Sequence, residues 1–226
     1  PGERWRATTL PRASRRVRVR EGWLESGAER FWSGSRLRAT LPNRAMAVRE
    51  IVKYPDPILR EPTTLVVDID DDIRELVRDL TDTMYAQNGA GIAAIQIGRL
   101  EQIFIIDGKV AGGDENAPPL VFINPEVVET GKGLAVSEEG CLSFPDVFVE
   151  IKRPRWAKLR ATNLEGEIAE AEGDGLLGRA LQHEHDHLTG KLMIDLVGMV
   201  KKEMIKRRMK RWHSEHDAAV AAEAAD

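Results

Sequence analysis

Gln182-His183-Glu184-His185-Asp186-His187-Leu188-Thr189-Gly190 is the stretch that decides how the chain is read. Asp174 can cap a helix N-terminus and Gly190 can end one, so the spacing predicts a helix from near Asp174 to Thr189. Residues four apart share a helix face, with Cβ atoms about 5–6 Å apart. His183 and His187 can therefore grip one metal ion, with Glu184 toward the same side, as an H-E-x-x-H pattern requires. The bland alternative is a charged, solvated face with incidental histidines. Leu176, Leu177, Ala180 and Leu188 fall on the same stripe, however. A stripe that begins apolar faces inward, and inward imidazoles and carboxylates need partners. A metal supplies that partner. His185 lies off the stripe and is expected at the surface.

Working outward, two histidines leave a catalytic tetrahedral site short of a third ligand, the fourth position being water's. The chain has one cysteine, Cys141, within Glu139-Gly140-Cys141-Leu142-Ser143. A lone cysteine is otherwise a small buried hydrophobe. Beside H-E-x-x-H its thiolate reads as the third ligand for Zn or Fe(II). One cysteine also excludes an intrachain disulfide framework. A further segment, Gly89-Ala90-Gly91-Ile92-Ala93-Ala94-Ile95-Gln96, is rich in small residues that let backbone approach a substrate closely. Taken alone it is a turn feeding a buried strand, with Gln96 satisfying backbone. It follows a helix, which speaks against a dinucleotide fingerprint.

The rest of the chain supplies the frame. Asp70, Asp71 and Asp72 precede Ile73, Leu76, Val77, Leu80 and Met84, an N-capped amphipathic helix stopped at Asn88-Gly89. Glu101–Ile106, Leu120–Ile123, Glu126–Glu129 and Trp156–Thr162 read as strands, with a Gly/Pro-rich loop over 108–119 and a turn over 163–166. A third helix is expected from Leu196 to about Trp212, packing Val197, Val200, Met204 and Ile205. The order helix, strands, helix, helix predicts an α+β fold: antiparallel or mixed sheets around a central metal-binding helix, with a C-terminal helix.

Composition sets the outer bounds. The 226 residues fit one domain with or without tails. A net charge of -4 gives no global pull toward nucleic acid or membrane, and 42% hydrophobic residues suffice for a core. The longest apolar run, Gly89–Ile95, falls far short of the roughly 20 residues of a spanning helix, so a soluble protein is expected. Residues 1–45 hold eleven Arg, no Lys and four Glu, a local charge of +7 that leaves -11 for the remainder. Three tryptophans, Trp5, Trp23 and Trp32, lie there without periodicity. This segment reads as a disordered extension or as translation upstream of a true start at Met46, with an organellar transit peptide or a basic nucleic-acid arm as alternatives.

Together the three motifs resemble the peptide deformylase family. Its patterns G-x-G-x-A-A-x-Q, E-G-C-L-S and Q-H-E-x-D-H-L-x-G stand complete and in order at Gly89–Gln96, Glu139–Ser143 and Gln182–Gly190. Residues Met46–Arg60 are similar to the family's usual opening. The resemblance covers roughly 46–212 as a catalytic domain and leaves 213–226 as a flexible tail. It implies a metallohydrolase that removes the N-formyl group from the N-terminal formyl-methionine of newly made proteins and releases formate. It implies one divalent ion held by Cys141, His183 and His187, natively Fe2+ and replaceable by Zn2+, Ni2+ or Co2+. Glu184 would move the proton, and the Gln96 side chain and Leu142 backbone N–H would stabilise the oxyanion. The backbone at Gly91 and Ile92 would pair with the peptide substrate. Gln182, Asp186, Glu139 and Ser143 are expected in support, while Arg153 receives no role. Implied partners are nascent formylated polypeptides and the ribosome, through the basic helix 201–211, with no membrane. The implied location is the bacterial cytoplasm, or an organelle if 1–45 is a transit peptide. The rivals are a metallopeptidase, against which a Cys ligand speaks, and a non-enzymatic RNA-binding protein, which would leave the three motifs unexplained.

Overall fold

Ile103–Ile106 is apolar at every position and buried at every position. Strand alternation sends Ile103 and Ile105 to one face and Phe104 and Ile106 to the other, so this strand lies inside a sheet covered on both sides. The structure, a computed structural model, describes residues 47–223. In chain order its elements are α1 (Asp71–Ala86), β1 (Gly91–Ala93), β2 (Ile103–Ile106), β3 (Leu120–Thr130), β4 (Leu134–Cys141), β5 (Phe144–Pro154), β6 (Trp156–Thr162), β7 (Ile168–Asp174), α2 (Gly175–Leu188) and α3 (Met199–Glu223), with short 3-10 turns between. The expectations for residues 1–45 and for a start at Met46 lie outside the described residues.

Five strands form one antiparallel sheet in the order β1-β2-β3-β6-β7, and β4 and β5 form a separate antiparallel hairpin. α1 covers one face of the large sheet. Its Leu76, Leu80 and Met84 pack with Ile103, Ile105, Val121 and Ile123. The Asp70 side chain caps it by accepting from Ile73 N–H. α2 covers the other face, where Leu177, Ala180, Leu181 and Leu188 meet Phe104, Ile106, Phe122 and Leu159. The Phe104 and Phe122 rings stack with centroids 4.6 Å apart. Each such aliphatic side chain contributes about 1.5–3 kcal/mol on full burial. The hairpin has its own core: Val147, Val149 and Ile151 pack on Leu192, Met193 and Ile194, and on Ile205 and Met209 of α3. This α+β arrangement, with α2 central and α3 last, is the expected one.

Several local expectations change. Leu120–Ile123 and Glu126–Glu129 are one strand: Asn124 adopts φ 50°, the register shifts between Ile123 and Glu126, and the Asn124 amide ties to Val66 through bonds of 2.8 and 2.9 Å. β4, β5 and β7 were not anticipated. The C-terminal helix starts at Met199, not Leu196, and continues to Glu223, so the segment expected to be a flexible tail is helical as far as Glu223. Val200 and Met204 are exposed, and Ile205 with Met209 forms its packing edge. Leu176 is 61% exposed rather than inward, and His185 is half-buried rather than on the surface. Among the described residues no helix is long and apolar enough to cross a membrane.

Candidate active site

α2 ends where the sequence requires it to. Gly190 has φ 69°, and a Cβ there would lie 2.8 Å from the Arg60 carbonyl oxygen, so only glycine fits. Along the inward side of α2, Gln182, His183, Glu184 and His187 are all buried. The end of β4 delivers Cys141 to this face. One ligand atom from each of Cys141, His183 and His187 falls within 4.8 Å of the others, and Cys141 Sγ lies 3.3 Å from His187 Nε2. The three residues expected to share a metal are thus brought together from two separate elements.

Each imidazole is set by its surroundings. His183 Nδ1 lies 3.0 Å from Glu139 Oε2, which leaves its Nε2 for a ligand. Burial would lower the His183 imidazole, but hydrogen bonds with Cys141 and Glu139 carry it well above its ordinary value. His187 is pushed well below, first by burial and then by the positive charges of His183 and Arg153. Burial alone would raise the Glu139 carboxyl. Hydrogen bonds from His183 and Arg153 outweigh that and hold it at about 2. Burial pushes the Glu184 carboxyl up to about 7, opposed by His183 and Arg153.

His187 Nδ1 and Glu184 Oε2 are buried without a hydrogen-bond partner. Such atoms are uncommon in folded chains; His187 faces the thiol with Nε2, not Nδ1, so it is the Glu184 oxygen that is left for a water or substrate proton. One thiolate and two imidazoles form a donor set suited to Fe(II) or Zn, so the residues present fit a divalent ion.

Around the cluster stand the other expected residues. Gln96 is held with its Oε1 accepting from Ala93 N–H at 2.9 Å, while its Nε2 lies 3.6 Å from Cys141 Sγ and donates to Ser143 Oγ at 3.2 Å. Leu142 follows Cys141, and its carbonyl accepts from Lys53 Nζ at 2.8 Å. Burial lowers the Lys53 ammonium, opposed by the charges of Cys141 and Glu50. Among the described residues β1 is an edge strand, paired with β2 alone. Ala90 pairs with Asp107, and Ile92 stands opposite Ile105. Antiparallel alternation then turns the Gly91 amide and carbonyl to the side away from β2, although β1 itself is buried, and engages those of Ile92 with β2.

Arg153 and Arg179 carry more than the sequence reading gave them. Arg153 is 4% exposed; its Nε donates to Glu139 Oε1 at 2.6 Å and its guanidinium also reaches Asp186 Oδ2 at 2.6 Å. Arg179 also donates to Glu139 Oε1. Together they fix the carboxylate that orients His183, which gives Glu139 and Asp186 the supporting places expected of them. The signal for Arg153 was legible: Val147, Val149, Ile151 and Arg153 alternate on one strand face, so the arginine had to be inward. Two surface grooves of about 360 and 500 Å³ lie elsewhere, and neither is lined by a cluster residue.

Comparison with known proteins points to one family. A family model described as polypeptide deformylase matches residues 48–203. A peptide deformylase of Bartonella tribocorum is 43% identical over 166 residues, covering 74% of this chain and 93% of the relative. One from Rhizobium meliloti is 44% identical over 163 residues, covering 72% and 92%. The crystal structure of a peptide deformylase from Legionella pneumophila superposes with a TM-score of 0.70 at 35% identity, covering 76% of this chain and 98% of that one. With its thiol and paired imidazoles in place and the match spanning nearly the whole of each relative, the chain belongs to the polypeptide deformylase family.

Proposed function

We propose that Cys141, His183 and His187 hold the single divalent ion of a deformylase that removes the N-formyl group from formyl-methionyl nascent chains. The observation that carries this reading is the convergence of one thiol and two imidazoles within 4.8 Å, beside a buried Glu184 with an unpartnered oxygen. When bound, the ion supplies Lewis acidity, which brings the pKa of a water molecule from 15.7 to about 7 and polarises a carbonyl. Fe2+ is the native ion in this reading, with Zn2+, Ni2+ or Co2+ able to replace it.

The chain's own residues do the remainder. Gly91, on the side of β1 away from β2, pairs with the substrate backbone as an added strand, and Ile92 anchors that edge to β2. Glu184 takes the proton of the attacking water as its oxygen bonds to the formyl carbon. The tetrahedral oxyanion accepts from Gln96 Nε2 and from the Leu142 backbone N–H. Glu184 then delivers its proton to the amine nitrogen as the C–N bond breaks, leaving formate and a free N-terminal methionine. Glu139, clamped by Arg153 and Arg179, keeps His183 in its ligating tautomer.

Formate release from a formyl-methionyl peptide, without internal cleavage, separates this activity from peptidase action. Glu184→Gln should retain metal, by elemental analysis after anaerobic purification, while turnover falls at least about 100-fold. Persisting turnover would rule out the assigned base. We infer also that the basic face of α3 meets ribosomal RNA: Lys201, Lys206, Arg207, Arg208, Lys210 and Arg211 are all exposed.

A further inference from the structure

Three consecutive residues near the start of the described chain run behind both proposed oxyanion donors. Val52 N–H donates to the Gln96 carbonyl at 2.8 Å, and Tyr54 N–H donates to the Ser143 carbonyl at 2.9 Å. Between them, Lys53 Nζ donates to the Leu142 carbonyl at 2.8 Å. The side chain of Lys53 is half-buried, and among the described residues it joins no salt bridge. Among the described residues its one hydrogen bond goes to that peptide carbonyl, with the charges of Cys141 and Glu50 nearby. A bond from an ionised donor is shorter and stronger than a neutral one. The carbonyl and the N–H of Leu142 are joined through a single Cα, so holding the former restricts where the latter points.

We propose that Lys53 is a positioning residue of the reaction: by fixing the Leu142 carbonyl it keeps the Leu142 N–H aimed at the developing oxyanion. The role rests on the deformylase reading above. A donor held in place before the reaction costs no reorganisation when charge develops, so the benefit appears in the transition state and not in substrate binding. If Lys53 only fastened the leading segment to the domain, its loss would lower thermal stability and leave turnover per folded, metal-loaded molecule unchanged.

The test uses the full, metal-loaded chain and a formyl-methionyl tripeptide. Lys53→Met keeps the apolar stem and removes the ammonium; Lys53→Arg keeps the charge. Lys53→Met is expected to lower kcat by about 10-fold or more with KM and metal content unchanged, and Lys53→Arg to recover most of the loss. A kcat within about twofold of the parent, or a loss carried entirely by KM or by missing metal, overturns the proposal. If Lys53→Met does not fold, Lys53→Gln carries the same comparison. Glu184→Gln is assayed in parallel: its continued turnover would overturn the deformylase mechanism itself, whereas an inactive Glu184→Gln beside a fully active Lys53→Met removes only the role of Lys53.

Discussion

Gly91 and Glu184 share one space. A Cβ on Gly91 would lie 2.8 Å from Glu184 Oε1 and 3.0 Å from its Cδ. Gly91→Ala must therefore displace the Glu184 carboxylate, which is buried and has little room to move. The expected result is a fall in kcat of about 10- to 100-fold with a small change in Tm, read by steady-state kinetics beside thermal denaturation. At this scale the sequence was informative wherever chemistry restricts spacing. His183 and His187 must be four apart on a helix, and a lone thiol beside them has few other uses. Lys53 left no comparable trace, because its partner is a main-chain carbonyl 89 positions away and any residue can offer one.

α1 was readable because the burial of its face follows a period of 3.6: Ile73, Leu76, Val77, Leu80 and Met84 are all in the core. β4 was not readable. Its Ser137, Glu138 and Glu139 lack a buried alternation, because the strand's composition answers to the His183 partner and the thiol it carries rather than to packing. The middle of β7, Ala169 to Glu172, is Ala and Glu, both helix formers, and becomes a strand only through pairing with β6 along its whole length. A smaller junction, between the 3-10 turns at 57–60 and 193–196, makes its own prediction. Arg60 reaches Asp195 with two bonds of 2.8 and 3.0 Å, and Leu192 N–H donates to the same carboxylate at 3.0 Å. Burial would raise Asp195, but the bonds from Arg60 and Leu192 hold it below its ordinary value. Stability from this clasp is therefore complete above about pH 4, the unfolded aspartate range, and is lost as pH falls through the lower folded value. Asp195→Asn should cost about 0.5–1 kcal/mol at neutral pH and nothing once the carboxyl is protonated, as urea unfolding at both pH values would show.

Over the whole molecule, the charged groups of α3 stand out from the core that Ile205 and Met209 anchor. Co-sedimentation with ribosomes at low salt should fall when Lys206, Arg207 and Arg208 are changed to Glu, and added salt should weaken the parent in the same way. An unchanged pellet would remove the ribosomal role and leave the hydrolase intact. The α+β class followed from element order, but the division into a five-stranded sheet and a two-stranded hairpin that runs on from the end of its β3–β6 pair did not, because register and strand order arise from long-range pairing that periodicity does not encode.

That division has a consequence for the empty and loaded forms of the protein. The thiol belongs to the two-stranded unit and the imidazoles to a helix laid on the other sheet. A cation seated among them acts as a rivet between two plates that are otherwise joined along one side, where the chain passes through 131–133 and Arg155 and main-chain bonds of 2.8 Å link Gly131 to Trp156 and Arg155 to Gly133. Chelation should loosen the smaller plate first, so amide exchange over 134–154 should quicken while β2 and β3 stay protected. Uniform quickening across both would mean that the plates come apart only when the entire chain unfolds.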